Sequence, residues 1–266
     1  MSHALKTLLR EVVENTPYIR EKYFKRLFWE RPPCWKGIYP SFAEASAAPH
    51  RRKLAGYDHE EIARRQEATL ERFNPADYPV LFWLGSLLPQ TRAVFDLGGN
   101  LGLAWYAYRR YLTFPEGLRW TVCEVPAIAA AGRELAAKKN AAQLFFTDRR
   151  EDANGTDIYF SCGALQYIEE PLSAMLAKLG DPPRHLLINR VPLTDGATFI
   201  TLQNNGDWLS PYKVENRDEF IRGVASLGYE LVDSWKIARR LDVLMSPQHR
   251  AENFHGMYFR RSQASR

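Results

Sequence analysis

Two acidic residues close neighbouring apolar runs in a way that could serve a ligand. Asp96 stands in Ala93-Val94-Phe95-Asp96-Leu97, and Glu124 ends Arg119-Trp120-Thr121-Val122-Cys123-Glu124. Directly after the first run comes Gly98-Gly99-Asn100-Leu101-Gly102, and then a helical stretch over 104–111. A strand, a tight glycine turn and a helix form a cradle for a nucleotide-like ligand. Glycine permits positive φ and close backbone approach, and the helix start presents free N–H groups. A dinucleotide clamp needs glycine at the first, third and sixth positions. Counted from Gly98, the third is Asn100 and the sixth is Leu103, so the pattern fails. An acid at position 96 would also repel a pyrophosphate. It suits the ammonium group of an amino-acid-like ligand, the alternative being an aspartate that only caps a turn. Glu124 lies 28 residues beyond Asp96, more than the spacing of about 20 usual for a ribose-binding acid. The loop 113–117 absorbs the excess. A carboxylate there can accept bonds from both ribose hydroxyls. An NAD-dependent oxidoreductase shares Glu124 but not the turn.

These residues need a scaffold that brings strand ends together. Short apolar runs over 144–148, 157–163 and 185–191 alternate with helical stretches over 127–139 and 171–179. Such alternation predicts an α/β fold with parallel strands and helices on both faces. Ligands on such sheets collect at the carboxyl ends of the strands. Asp96, Glu124, Asp148, Ser161 and Asn189 all map to that edge. Beyond residue 206 a helix over 214–224, starting near Asn216, precedes two strands, 229–235 and 256–260, which suggest an antiparallel insertion at the sheet edge.

The first 90 residues read as mainly helical, with a division at 1–90 and 91–266. Leu5, Leu8, Leu9, Val12 and Val13 describe an amphipathic helix that stops near Pro17. Ser41 and Glu44 form a capping box. A helix runs over 58–73, and Asn74-Pro75 opens another that ends at Pro89. Between the first two lies a segment dense in aromatics, including Trp35, Tyr39 and Phe42. It reads as an ordered loop over the core or over a pocket.

Composition narrows the classes. The chain has 266 residues, and its net charge of +5 comes from 36 basic against 31 acidic side chains. The basic residues are too scattered for a nucleic-acid footprint, although an anionic small substrate stays compatible. Three cysteines, Cys34, Cys123 and Cys162, show no metal-ligand spacing. No apolar run approaches the roughly 18 residues of a membrane span, and the start lacks a signal-type core. A cytoplasmic protein with no metal and no integral membrane segment is expected.

Three motifs carry a resemblance to a known family: Trp35-Lys36-Gly37-Ile38-Tyr39-Pro40-Ser41-Phe42, Phe95 through Gly102, and Ser161-Cys162-Gly163-Ala164-Leu165-Gln166-Tyr167-Ile168. The chain resembles class I S-adenosylmethionine-dependent methyltransferases. More narrowly, it resembles a family of methyltransferases linked to bacterial surface-polysaccharide clusters. The resemblance implies a Rossmann-like, seven-stranded, mostly parallel sheet. Its last strand would be antiparallel and inserted beside the sixth, behind an N-terminal helical cap. It implies S-adenosyl-L-methionine as cofactor. Asp96, Gly98, Asn100 and Gly102 would cradle the methionine part, with Asn100 standing where the usual pattern has glycine. Glu124 would hold the ribose and Val125 would flank the adenine. Thr147 and Asp148 would lie near the adenine amine, and Ser161, Cys162, Gly163 and Gln166 would line the floor beside the sulfonium. Tyr167, Asn189 and Tyr212 are candidates for orienting the acceptor, since no histidine follows Leu165 as a base. The acceptor is expected to be a hydroxyl or amine of a small or sugar-derived molecule. Arg190 could pair with an anionic group on it. A non-catalytic cofactor-binding protein is the rival. A nucleic-acid methyltransferase lacks its expected Asn-Pro-Pro-aromatic motif.

Overall fold

The computed structural model describes residues 17–47, 54–55, 67–206 and 208–261. The pattern at Leu5 to Val13, and most of the helix expected over 58–73, lie outside them. The described chain starts with α1 (Pro17–Glu30), β1 (Cys34–Tyr39) and α2 (Phe42–Ala47). Ser41 Oγ accepts the Glu44 N–H at 3.2 Å, which supplies one half of the expected capping box. A two-residue β2 (Leu54–Ala55) follows. Asn74 accepts the Ala76 N–H at 3.0 Å and starts a single turn that leads into α3 (Tyr78–Leu87). Next come β3 (Ala93–Leu97), α4 (Leu103–Tyr108), β4 (Arg119–Cys123), α5 (Pro126–Lys138) and β5 (Leu144–Thr147). They are followed by β6 (Ile158–Cys162), α6 (Leu172–Ala177), β7 (His185–Thr194), β8 (Phe199–Asn204) and β9 (Trp208–Asn216). The chain ends with α7 (Arg217–Ala225), β10 (Tyr229–Ile237), β11 (Leu241–Leu244), β12 (Ser246–Ala251) and β13 (Phe254–Arg261).

Seven strands form the central sheet in the order β5-β4-β3-β6-β7-β13-β10. The first five run parallel, and β13 is antiparallel to both of its neighbours. Side chains alternate across this sheet because successive Cβ atoms point to opposite faces. Val94, Ile158, Phe160 and Leu187 join α3, α4 and α5 in one core layer. Phe95, Tyr159, Leu186 and Ile188 join α6 and α7 in the other. Both faces are covered, which explains why these strands read as nearly continuous apolar runs. Each fully buried Leu or Phe contributes roughly 1.5–3 kcal/mol to this packing.

The seven-strand count falls short of the molecule. Six further strands build an annex in the order β12-β11-β1-β8-β9, with β2 on the outer edge of β9. Strand β7 overruns the central sheet, and its last residues pair with β9 as Leu193↔Glu215 and Thr194↔Asn216. Two expectations are corrected. The segment before residue 90 is not purely helical, because β1 pairs with β8 and β11. The aromatic segment is not a loop, since residues 34–39 are β1 itself. The helix expected to start near Asn216 does so: Asn216 caps it by accepting the Glu219 N–H at 2.9 Å, Arg217 is its first residue, and Val214 is still in β9.

Candidate active site

Asp96 is completely buried at the end of β3. Its Oδ2 accepts the Trp120 Nε1–H at 3.0 Å, whereas its Oδ1 is buried without a partner. Burial pushes the carboxyl up to about 7, opposed by the Trp120 bond and reinforced by the nearby Glu124 charge. The glycine turn is shaped around it. Gly98 has φ +70°, and a Cβ there would overlap Ala164; a Cβ at Gly99 would overlap the Asp96 carboxyl itself. Asn100 also sits at positive φ, 57°. That is a position glycine fills easily and asparagine tolerates better than most residues. The turn is tied to the next strand, since Asn100 N–H donates to Glu124 Oε1 at 3.0 Å and Val125 N–H donates to Glu124 Oε2 at 3.1 Å.

These groups open onto a cavity of about 1070 Å³ at the carboxyl ends of β3, β4, β5 and β6. That is the upper end of the usual range of about 300–1,000 Å³ for ligand pockets. Of the sequence-predicted residues, Asp96, Gly98, Asn100, Glu124, Val125, Asp148, Cys162, Gly163 and Tyr167 line it. Gly102 does not; it starts α4 at φ +85°, where a side chain would run into Leu144. Thr147 donates to Asp152 Oδ2 at 2.6 Å, and Ser161 donates to the Leu97 carbonyl at 3.1 Å, which pins β6 to β3. Gln166 donates to the Gly163 carbonyl at 2.7 Å. These last three support the lining from behind.

The acceptor-orienting candidates divide. Tyr167 lines the cavity and donates to Gln203 Oε1 at 2.8 Å. Burial pushes its phenol up to about 12, so it stays protonated near neutral pH. Tyr212 is buried behind it, edge-on to Tyr167 at 5.2 Å and to Trp35 at 5.7 Å. Asn189 is fully buried and committed on both sides of its amide. It donates to Asp77 Oδ1 at 2.9 Å and accepts from Trp235 Nε1 at 2.9 Å. Neither Asn189 nor Tyr212 reaches the cavity lining. Of the aromatic trio, Trp35 packs in an annex core cluster, and Trp35, Tyr39 and Phe42 are all absent from that lining.

Sequence reasoning missed Asp77. This buried carboxylate takes the Arg190 Nε–H at 3.0 Å and is ion-paired to Arg190 Nη2. Arg190 is therefore locked to a partner in its own chain instead of standing free. Its backbone has φ 57°, an uncommon conformation for a side chain of this size. Cys162 Sγ lies 3.8 Å from Asp77 Oδ1, and burial pushes the thiol up to about 12. The Asp77–Arg190 contact spans 113 residues and no local motif announces it. The far wall belongs to the annex, through Asn205, Trp208, Ser210 and Pro211. Among the described residues no metal-binding cluster of His, Cys, Asp and Glu occurs, and no helix is long and apolar enough to cross a membrane.

No family profile and no curated protein matches the chain. Solved structures do show similarity of fold. One is the Burkholderia thailandensis 1,6-didemethyltoxoflavin-N1-methyltransferase, 19% identical over 81% of this chain and 95% of that one, with a TM-score of 0.48. The CcbJ methyltransferase from Streptomyces caelestis is 14% identical over 72% and 98%, with a TM-score of 0.47. The glycopeptide N-methyltransferase MtfA is 12% identical over 81% and 99%, with a TM-score of 0.47. None of the three reaches a TM-score of 0.5, so the site's own residues must decide what it can bind.

Proposed function

We propose that the chain is an S-adenosyl-L-methionine-dependent methyltransferase acting on a hydroxyl or amine of a small or sugar-derived acceptor. The observation that carries this is Asp96, a buried carboxyl with one unpartnered oxygen beside a turn too tight for side chains. An isolated carboxylate in such a place is unfavourable, and an ammonium group placed against it removes the penalty. That selects an amino-acid-like ligand over a pyrophosphate. Glu124 lies one strand further along and has the acceptor capacity for ribose hydroxyls. Val125 would flank the adenine and Asp148 would meet its amine. Cys162 and Gly163 would form the floor beside the sulfonium. Thr147, Ser161, Gln166 and Gly102 would hold these positions from behind.

When bound, the cofactor supplies an electrophilic methyl group. The chain's part is to align the acceptor and exclude water, which alone can supply much of the rate. Tyr167 and Cys162 both stay protonated at neutral pH, so neither is a ready base. Tyr167 would orient the acceptor, while Asn189 and Tyr212 position residues that line the cavity. Residues 91–266 form the cofactor-binding part, with β1 joining its annex. A small acceptor fits this reading, since the annex residues Asn205, Trp208 and Pro211 line the same cavity as Asp96 and Glu124.

Calorimetry with S-adenosylhomocysteine and with NAD tests the cofactor. Tight binding of the first and weak binding of the second is expected; the reverse order refutes the proposal. Labelled S-adenosylmethionine is then offered with panels of nucleotide sugars, oligosaccharides, small phenols and nucleic acids. Methyl transfer to a small acceptor, located by mass spectrometry, is the expected result. Transfer only to nucleic acid removes the substrate class, and tight binding with no transfer at all favours the non-catalytic rival.

A further inference from the structure

We propose that Arg72 is the partner of the cofactor's carboxylate, which makes the amino-acid end of the ligand a doubly clamped zwitterion. This rests on the cofactor reading above. Asp96 answers the ammonium only. A carboxylate beside it, partly withdrawn from water, needs donors of its own.

The glycine turn does not provide them. Gly98 N–H donates to the Cys123 carbonyl at 2.8 Å, and Asn100 N–H to Glu124 Oε1 at 3.0 Å. Leu101 N–H is held by Asn100 Oδ1 at 2.7 Å. Gly102 and Leu103 N–H both return to the Gly99 carbonyl, at 3.0 and 3.1 Å. In many nucleotide cradles such groups meet the anion; here the turn spends them on itself, leaving Gly99 alone.

One backbone N–H leaves most of a carboxylate's acceptor capacity unmet, a need that a side-chain cation answers, and the cavity lining offers Arg72, Arg150 and Arg190. Arg190 is fixed on Asp77 through two of its nitrogens. Arg150 follows β5, near Glu170 at 3.7 Å and Met175 Sδ at 3.7 Å. The Arg72 guanidinium has no hydrogen bond or ion pair among the described residues. It is carried by the segment that packs on the last residue of α4 and the residues just after it, and it lines the same cavity as Asp96 and the glycine turn. The neighbouring Glu71 carbonyl accepts from Arg110 Nη1 at 3.4 Å, and the Phe73 ring packs on Tyr111 at 4.9 Å and on Tyr108 at 6.3 Å. A planar guanidinium suits a carboxylate because it can offer two parallel N–H donors.

The test compares three ligands by calorimetry on the full chain. They are S-adenosylhomocysteine, its decarboxylated analogue S-adenosyl-3-thiopropylamine, and 5′-methylthioadenosine, which lacks the amino-acid end. Arg72→Ala is expected to weaken S-adenosylhomocysteine at least tenfold and to leave the other two within about twofold. Arg72→Lys should recover part of the loss. Arg72 is exposed, so a circular-dichroism melt matching wild type is expected and separates binding from folding. Unchanged S-adenosylhomocysteine affinity in Arg72→Ala overturns the proposal, as does an equal loss for the decarboxylated analogue. Wild-type protein that binds none of the three overturns the cofactor reading itself, a different and recognisable result.

Discussion

At the scale of single residues, the proposed role of Asp96 would link cofactor binding to pH. Its carboxyl is raised from an ordinary 3.8 to about 7 in the folded chain. Between these values the folded state holds a proton that the unfolded state has released. The contribution to stability is therefore full below about 4 and is lost as pH rises through 7. Asp96→Asn should raise the melting temperature at pH 8 and leave it nearly unchanged at pH 4. The same substitution should weaken S-adenosylhomocysteine at least tenfold at pH 8. In the wild type, affinity should fall as pH drops from 8 to 6, because the ammonium needs the ionised form. A flat profile, with no gain in melting temperature for the variant, counts against the buried-charge account. For Glu124→Ala a loss of about 1.5–3 kcal/mol in binding is expected, the usual range for hydrogen bonds to a charged group. Asp96 and Glu124 were legible because each closes an apolar run next to a glycine turn or a neighbouring strand. Asn189 looked equally promising at the end of such a run. Its amide instead joins Asp77 to Trp235, and nothing near it in sequence says so.

Among the elements, legibility follows burial on both faces. Strands β3, β4, β6 and the first half of β7 read plainly because they are apolar runs between helices. The annex strands did not. In β1, Gly37 at φ +76° and the preceding Pro32-Pro33 look like loop signals. In β8, Gln203 and Asn204 look like surface residues, yet both are buried. Distant partners satisfy them: Gln203 accepts from Tyr167, and Asn204 Nδ2 donates to the Phe28 carbonyl at 2.6 Å. The turn before α3 shows the same dependence on distant pairing through Asp77. Asp77→Asn would leave Arg190 half-buried without its carboxylate, and removing one member of a buried pair costs about 3 kcal/mol or more. Urea melts should show that loss without a change in slope. A variant as stable as wild type would mean the pair contributes little net free energy.

For the molecule as a whole, the cleft straddles two bodies of unequal depth. The central sheet is packed on both sides by the larger apolar layers, while the annex rests on smaller clusters around Trp35, Tyr212 and Leu241 and around Phe28 and Leu202. They are joined where β7 overruns into β9 and where Trp208 packs into the main core. Asp96 and Glu124 belong to the first body. Asn205, Ser210 and Pro211 belong to the second. Local stability tracks the depth of apolar packing. Amide hydrogens of β1 and β8 should therefore exchange with solvent deuterium through a partial opening, well before those of β3 and β6. Equal protection throughout would show one cooperative unit instead. The overrun of β7 then has a practical consequence. A compound seated against the annex wall should slow deuterium uptake over residues 205–211, while the cofactor product alone slows it around the glycine turn. Candidate acceptors can thus be ranked by where they leave a footprint in deuterium uptake, before any of them has been turned over.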